Sequence, residues 1–353
     1  MANRVRWLIR EEIGDSCFSI LVDEAKDESE REQMAIILRF VSATGILTER
    51  FFAIKGVSET SSETLKHEIM NVLSHFNLQV HKLRGQGYDG ASNMRGQWNG
   101  LQALFINDCP FAYYVHYFAH RLQLTLVPAA KQCDPIWKFF SILDKLINIV
   151  KSSAKRNTEL QDAHRLEIDA MLESGERQSG RGANQMSFLQ RSGTTRWGSH
   201  YDSVLSMLEL YNATCKVLEN IACDGSNSKI QNEAEGACSS IQSFNFVFGL
   251  HVMRSIMGIT DFVCQAFQKQ SVDILSTLGY VSTAKTLLQD LRDKGWEDMF
   301  KQVEDFCLKH KIDIPDMKSK MCRGRNEVDV EHYYHFEYFT VHRFSSCRVR
   351  IKI

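Results

Sequence analysis

The chain has 353 residues, of which 44% are hydrophobic and 24% are charged, and its formal net charge is -1 at pH 7. This composition is sufficient for one large or two medium folded cores and excludes disorder as the default state. The near-neutral balance gives no overall basic footprint, so any contact with nucleic acid has to come from local patches. The ten cysteines lack the Cys-x-x-Cys spacing of a zinc finger, and no run of ~18 apolar residues predicts a membrane span. We therefore expect a reduced, intracellular protein with no membrane partner.

Five strands are predicted in the first third of the chain. A four-residue turn at 42–45, Ser-Ala-Thr-Gly, predicts a hairpin between the second and third strands. Helical spacing of apolar residues at 60–76 and 93–105 predicts a helix on either side of the fourth strand. The predicted order is therefore β-β-β-α-β-α-β. The apolar runs with strand character are 17–22, 33–41, 47–57, 80–84 and 112–116.

Two aspartates follow strands in this pattern. Asp89 lies among three glycines in the segment 81–94, which reads as strand, tight turn and helix, and Asp23 follows the first strand. If the two strands are neighbours, both carboxylates emerge at one edge of the sheet and could share a divalent cation for phosphodiester chemistry. The alternative is structural, with Asp23 capping a turn and Asp89 serving the glycine bend.

The segment Gly85–Gly90 also matches the pattern G-x-G-x-x-G of dinucleotide-binding proteins. That pattern belongs on the first strand of a βαβ unit, with an acidic residue at the end of the next strand. Here three strands precede the segment, so its context disfavours a dinucleotide site.

Beyond residue 118 the hydrophobic pattern is helical almost throughout. The main interruption, 174–200, is a loop rich in glycine and arginine that ends in Thr195-Arg196-Trp197. We expect a first domain at 1–130, a helical domain at 131–310 and an irregular tail at 311–353. The predicted helices are 118–131, 135–154, 158–173, 201–222, 228–251, 253–269, 273–292 and 296–310.

Four segments of the chain resemble hAT-superfamily DNA transposases, most closely the plant branch related to zinc-finger MYM-type proteins. They are 18–24, 84–94, 115–124 and 195–199, so the resemblance covers nearly the whole chain. It implies a fold of the class α/β plus all-α, in which a ribonuclease-H-like mixed sheet is interrupted by a large helical insertion.

The resemblance also implies roles for particular residues. Asp23 and Asp89 match two members of an acidic triad that binds magnesium or manganese for DNA strand cleavage, and His120 matches a supporting histidine. Tyr117 stands where the family has cysteine or aspartate, which a phenol cannot replace.

The DNA contacts that the resemblance implies lie in the loop at 174–200. Trp197 matches a tryptophan that stacks against a flipped base, and Arg196 beside it suits a phosphate. The alternative role for Trp197 is to anchor the loop on the helical domain. The DNA-contact candidates of this basic loop are Arg181, Arg191, Arg196 and Trp197.

The family's third acid, a glutamate after the helical insertion, has no match in 311–353. Glu327, Glu331 and Glu337 are candidates by position only. We therefore expect a catalytically incomplete, transposase-derived protein that binds DNA or a protein partner. The first alternative is active metal-dependent DNA cleavage, and the second is a decayed element without a selected activity.

Two further expectations depend on the resemblance alone. It implies a nuclear location. The family's dimerisation region has no match at the end of the chain, which speaks against a homo-oligomer.

Overall fold

The computed structural model describes residues 1–26, 31–116, 133–180, 184, 186–193, 197–224, 227–267, 274–323 and 326–335. The chain divides into two compact units. Unit 1 comprises Met1–Arg121 with Ala266–Ile274, and unit 2 comprises Leu122–Gln265 with Leu275–Ile353. Unit 1 carries a five-stranded sheet, and unit 2 carries the long helices.

The elements of unit 1 follow the order predicted from the sequence. The hairpin turn between the second and third strands is closed by a hydrogen bond from the Ser42 N–H to the Ile46 carbonyl (2.8 Å), and Gly45 takes a positive φ of 79° there. The elements are α1 (Ala2–Ile13), β1 (Phe18–Lys26), β2 (Glu32–Val41), β3 (Leu47–Gly56), α2 (Ser62–His75), β4 (Leu83–Tyr88), α3 (Ser92–Arg95), α4 (Leu101–Asp108) and β5 (Tyr113–His116).

The sheet has the strand order β3-β2-β1-β4-β5. The first three strands are antiparallel neighbours, whereas β4 runs parallel to both β1 and β5. This is the mixed, ribonuclease-H-like sheet that the sequence predicts, and the large helical region follows it. The fold-class prediction is thus confirmed.

The helices of unit 1 pack on one face of this sheet. One buried cluster joins Ile13 of α1, Ile69 of α2 and Phe105 of α4 to Ile20 and Leu38 of the central strands. Alternation along the strands places Ile20 and Val22 of β1 on this inner face. Leu21 and Asp23 consequently point to the opposite, outer face.

Two local predictions in unit 1 are wrong. Gly85 and Gly87 lie inside β4 and not in a tight turn, and a side chain at 85 would come within 2.7 Å of Ser19 Oγ on β1. A side chain at 85 would therefore have to displace the Ser19 hydroxyl. The helix predicted at 93–105 is broken into α3 and α4, because the backbones of Gly96 and Gly100 touch in a tight loop between them.

Unit 2 is a helical assembly followed by a short hairpin. The helix predicted at 201–222 is two helices that meet near Leu210. The boundary between the helices predicted at 228–251 and 253–269 lies earlier in the chain, near Gln242. The described elements are α5 (Asp134–Lys151), α6 (Ala154–Glu173), α7 (Trp197–Glu209), α8 (Tyr211–Asp224), α9 (Ser228–Ile241), α10 (Phe244–Phe267), α11 (Ile274–Lys294), α12 (Trp296–His310), β6 (Lys320–Arg323) and β7 (Asn326–Asp329). The helix predicted at 118–131 lies outside the described residues.

By length and composition α10 could cross a membrane, with a mean hydropathy of 1.3 over its most apolar window. However, 67% of that window is buried inside the protein, as in a core helix of a soluble domain. This feature is weak evidence for a membrane span.

Candidate functional site

The two predicted aspartates lie side by side on neighbouring strands, but Asp23 is inside β1 and does not follow it as predicted, because the pairing of β1 with β2 continues to Lys26. Parallel pairing of β1 with β4 sets Leu21 opposite Gly87, and two residues further along each strand the chain reaches Asp23 and Asp89. Both carboxylates therefore lie at the same level of neighbouring strands. Asp23 is exposed, and Asp89 is half-buried just beyond the end of β4.

Asp89 also has a structural role. Its Oδ1 accepts a hydrogen bond from the Ala91 N–H (3.0 Å), which closes the turn into α3. Its carbonyl oxygen accepts a hydrogen bond from the Tyr114 hydroxyl on β5 (3.1 Å). The turn role that the sequence offered as the alternative for Asp89 is therefore present in the structure.

Glu24 is a third carboxylate beside Asp23 and Asp89, and the sequence analysis did not propose it as a site residue. We call Asp23, Glu24 and Asp89 the acidic edge. Burial raises the pKa of Glu24, a hydrogen bond from Asn93 opposes the rise, and the negative charges of Asp89, Glu32 and Asp23 add to it. One of its oxygens, Oε1, is buried without a hydrogen-bond partner among the described residues. The sequence feature that could have identified Glu24 is its position directly after Asp23.

Asn93 ties this edge to the loop before α2. Its side-chain amide donates to the Thr60 carbonyl (2.7 Å), and its own carbonyl accepts from the Ser62 hydroxyl (2.8 Å). Asn93 thus links three segments: Glu24 of β1, the turn after Asp89 and the start of α2. Ser61 caps that helix by accepting from the Thr64 N–H (3.3 Å).

Carboxylates are the ligands that magnesium and manganese prefer. Within the described ranges, however, no three side chains of His, Cys, Asp or Glu are grouped so that they could hold a metal ion. The donors at the edge have the right chemistry for the predicted cation but do not form a complete ligand set, so no reaction step through a metal follows from their geometry.

The other predicted site residues are placed as follows. Tyr117, His120, Arg181, Arg196 and Glu337 lie outside the described residues. So do the side chains of Trp197, whose backbone begins α7, and Glu327, which lies on β7. Glu331 is exposed on the surface of unit 2. Arg191 is described and exposed.

The segment that carries Arg191 is held firmly against the helices of unit 2. Leu189 is buried, and its carbonyl accepts a hydrogen bond from Lys151 Nζ at the end of α5 (2.9 Å). The Gln190 N–H donates to Ser206 Oγ on α7 (3.0 Å), and Ser192 Oγ donates to Asp144 Oδ1 on α5. We call residues 186–193 the strap, because these bonds fasten it across α5 and α7.

The strap places a cation beside a basic and aromatic side of α5. Lys138 and Lys145 are both exposed and lie seven residues apart, two turns along one side of the helix. Trp137 next to Lys138 is 48% exposed. Because Ser192 is bonded to Asp144, Arg191 lies close to the turn that carries Lys145. The basic face is defined here as Arg191, Lys138, Lys145 and Trp137.

The fold and the acidic edge together define a ribonuclease-like domain followed by a helical region. In agreement, residues 1–100 match the family model of the ZMYM1/FAM200 RNase-like domain. The matched residues include β1 to β4 and both Asp23 and Asp89, and they end before β5.

Two curated proteins are distantly similar over most of the chain. The human "52 kDa repressor of the inhibitor of the protein kinase" is 22% identical over 290 residues, which cover 80% of this chain and 36% of that protein. Its mouse counterpart is 23% identical over 269 residues, which cover 74% of this chain and 34% of the relative. The chain thus spans about a third of the length of these relatives.

Proposed function

We propose that this chain is a transposase-derived, ribonuclease-H-like protein that binds DNA through the basic face of its helical unit and does not cleave it. The observation that carries the proposal is the strap, which holds exposed Arg191 beside α5 through three hydrogen bonds. A nuclear location would follow from this function.

The chemistry of the basic face suits a phosphate backbone. Arg191, Lys138 and Lys145 are exposed cations on a rigid support, and each phosphate they neutralise would release condensed counterions. Trp137 offers an exposed aromatic surface on which a base could stack. The bonds of the strap fix the backbone around Arg191, which lowers the entropy that this segment loses on binding.

The acidic edge supports binding in preference to cleavage. Asp89 accepts a hydrogen bond within its own turn, and Glu24 has a raised pKa because it is partly buried. A carboxyl group that resists ionisation is a poor partner for a cation.

The test is the binding of the full chain to a fluorescent DNA duplex between about 50 and 200 mM salt. We expect affinity to fall steeply with salt, and Arg191→Ala with Lys145→Ala to reduce the slope of log K against log salt by about 2. Lys216→Ala, an exposed lysine on α8, is the matched control and should leave the slope unchanged. Binding that is absent at low salt, or that ignores salt, would contradict the proposal.

A second candidate is metal-dependent cleavage at the acidic edge. It is favoured by three carboxylates, Asp23, Glu24 and Asp89, close enough for their charges to interact. Nicking of a duplex in manganese that disappears in Asp89→Asn would support it. Nicking that survives this substitution would come from a contaminating nuclease. If no nicking is seen, cleavage is rejected and DNA binding remains the proposed function.

A further inference from the structure

Two hydrogen bonds show how α8 and α9 of unit 2 lie against each other. The Tyr211 hydroxyl at the start of α8 donates to the Ile241 carbonyl at the end of α9 (2.8 Å). The Gln231 side-chain amide, near the start of α9, donates to the Cys223 carbonyl near the end of α8 (3.4 Å). The two helices therefore form an antiparallel hairpin.

Cys215 lies on the side of α8 that faces α9. It is four residues from both Tyr211 and Glu219, so the three side chains share one side of the helix. Tyr211 bonds to the end of α9, and Glu219 accepts a hydrogen bond from Gln242, directly after α9 (3.2 Å). Cys215, which lies between these two contacts, consequently faces α9.

Cys238 faces α8 in the same way. It lies seven residues after Gln231 and four residues before Gln242, and these spacings place the three side chains on one side of the helix. Both glutamine side chains donate hydrogen bonds to α8. The two cysteines therefore project into the same contact between the helices.

The two cysteines also lie at the same level of the hairpin. Cys215 lies four residues after Tyr211 and Cys238 three residues before Ile241, so each is about one helical turn from the Tyr211–Ile241 contact. Packed helix axes are about 8–10 Å apart and each Cα lies about 2.3 Å from its axis, which brings facing Cα atoms to about 4–5 Å. A disulfide bond needs a Cα–Cα distance of about 4.4–6.8 Å. Both residues are free thiols in the structure.

We propose that Cys215 and Cys238 are a redox-active pair that a small-molecule disulfide, such as oxidised glutathione, closes to a disulfide bond. One protein thiolate attacks the oxidant, forms a mixed disulfide and releases one half of the oxidant as a thiol. The second cysteine attacks the protein sulfur of the mixed disulfide and releases the other half. Two protein thiols are oxidised, one external disulfide is reduced to two thiols, and the protein's two thiol protons end on them. The bond fastens α8 to α9, and its formation does not depend on the proposed DNA binding.

Burial makes this oxidation slow at neutral pH. Burial raises the pKa of Cys215 to about 12 and also raises the pKa of Cys238, and the charge of Glu219 adds to both shifts. Only the thiolate attacks a disulfide, so the rate should rise about tenfold per pH unit between about pH 7 and 9. Both side chains are partly exposed, which lets the oxidant reach them.

Cys223 is the matched control for this pair. It is exposed on α8 at the level of Gln231. Gln231 lies seven residues before Cys238, about 10 Å along the helix, and Cys215 is about 12 Å from Cys223 along α8. Both separations are too long for a disulfide bond, so Cys223 can only keep the oxidant as a mixed disulfide.

The experiment treats the folded, full chain with oxidised glutathione, blocks the remaining thiols and maps the cross-linked peptides by mass spectrometry. We expect a bond between Cys215 and Cys238, and a melting temperature several degrees above that of the reduced chain, because the bond closes a loop of roughly 20 residues. Cys215→Ser and Cys238→Ser should each lose both effects, whereas Cys223→Ser should keep them.

The peptide map of the wild-type chain decides the matter even if a variant folds poorly. A bond from Cys215 or Cys238 to Cys223 would overturn the proposal. So would glutathione that stays on Cys215 or Cys238, or two thiols that are both still alkylated after oxidation at pH 9, where the reaction should be fastest.

Discussion

Glu24 illustrates how a single buried carboxylate affects the sheet edge. Burial raises the pKa of Glu24 above its usual value of 4.5, so the folded state holds its proton more tightly than the unfolded state does. The favourable contribution of this group is fully present below pH 4.5 and is lost as the pH rises through the higher folded pKa. As the pH rises through this window, ionising a partly buried carboxyl group therefore weakens the fold relative to low pH.

Glu24→Gln is expected to raise the melting temperature by a few degrees at pH 7, because the amide removes the buried charge and keeps the contact with Asn93. The gain should shrink as the pH falls towards 4, where the wild-type carboxyl group is itself protonated. Glu11→Gln on the exposed side of α1 is the control. A gain independent of pH would show that burial of the charge is not its cause.

His251 on α10 has the opposite pH dependence. Burial, helped by the charge of Arg254, lowers the pKa of His251 to about 4. Since the unfolded histidine titrates near its usual 6.5, the folded state is favoured above pH 6.5 and loses about 3 kcal/mol of stability as the pH falls to 4.

A His251→Leu variant should lack this dependence. The difference in unfolding free energy between variant and wild type is expected to shift by about 3 kcal/mol in favour of the variant between pH 7 and pH 4, measured by denaturant unfolding. Parallel pH profiles for the two proteins would contradict a neutral, buried His251.

At the scale of elements, the final described segment is anchored in unit 2. Residues 330–335 are helical, and the Tyr334 ring packs against Phe244 and Phe248, with centroid distances of 5.1 and 4.8 Å. The Tyr334 hydroxyl donates to Asn245 Oδ1 (2.6 Å). The aromatic side chain thus fastens the end of the described chain to the start of α10.

Tyr334→Ala is expected to cost about 3 kcal/mol of stability, since it removes a buried ring and leaves a cavity. Tyr334→Phe should cost only about 1 kcal/mol, the value of the lost hydrogen bond. Glu331→Ala on the exposed side of the same segment should cost almost nothing. Equal losses for Tyr334→Ala and Glu331→Ala, measured by thermal unfolding, would show that the segment is not packed as described.

The elements also show what local sequence can predict. The five strands followed from β-branched and aromatic runs, because alternation along a strand is a local property. The break between α3 and α4 was missed because it depends on Gly96 touching Gly100, a contact between loop backbones. The role of Gly85 was missed for a similar reason, since it depends on Ser19 of a neighbouring strand.

The candidate site was only partly predictable. Asp23 and Asp89 lie opposite each other because β1 and β4 are neighbouring parallel strands, an arrangement that the sequence analysis considered. The environment of Glu24 depends on Asn93, which is distant in sequence and is itself tied to Thr60. The strap could not be predicted either, because its anchors on α5 and α7 are brought together only by the fold of unit 2.

For the whole molecule, the basic face and the carboxylates Asp23, Glu24 and Asp89 lie on different units. Substitutions at one should therefore leave the other unaffected, because sites without shared partners behave independently. In particular, Glu24→Gln should change the pH dependence of stability without changing the salt dependence of DNA binding, and a change in that slope would show that the two sites are coupled.

The central claim is that this protein binds DNA and does not cut it. The most direct measurement follows a labelled duplex in manganese with the wild-type protein and with Asp89→Asn, scoring bound and nicked DNA on the same samples. Our account predicts salt-sensitive binding by both proteins and nicked product from neither. Nicking by the wild type that is lost in Asp89→Asn would contradict it and would establish the acidic edge as a catalytic site.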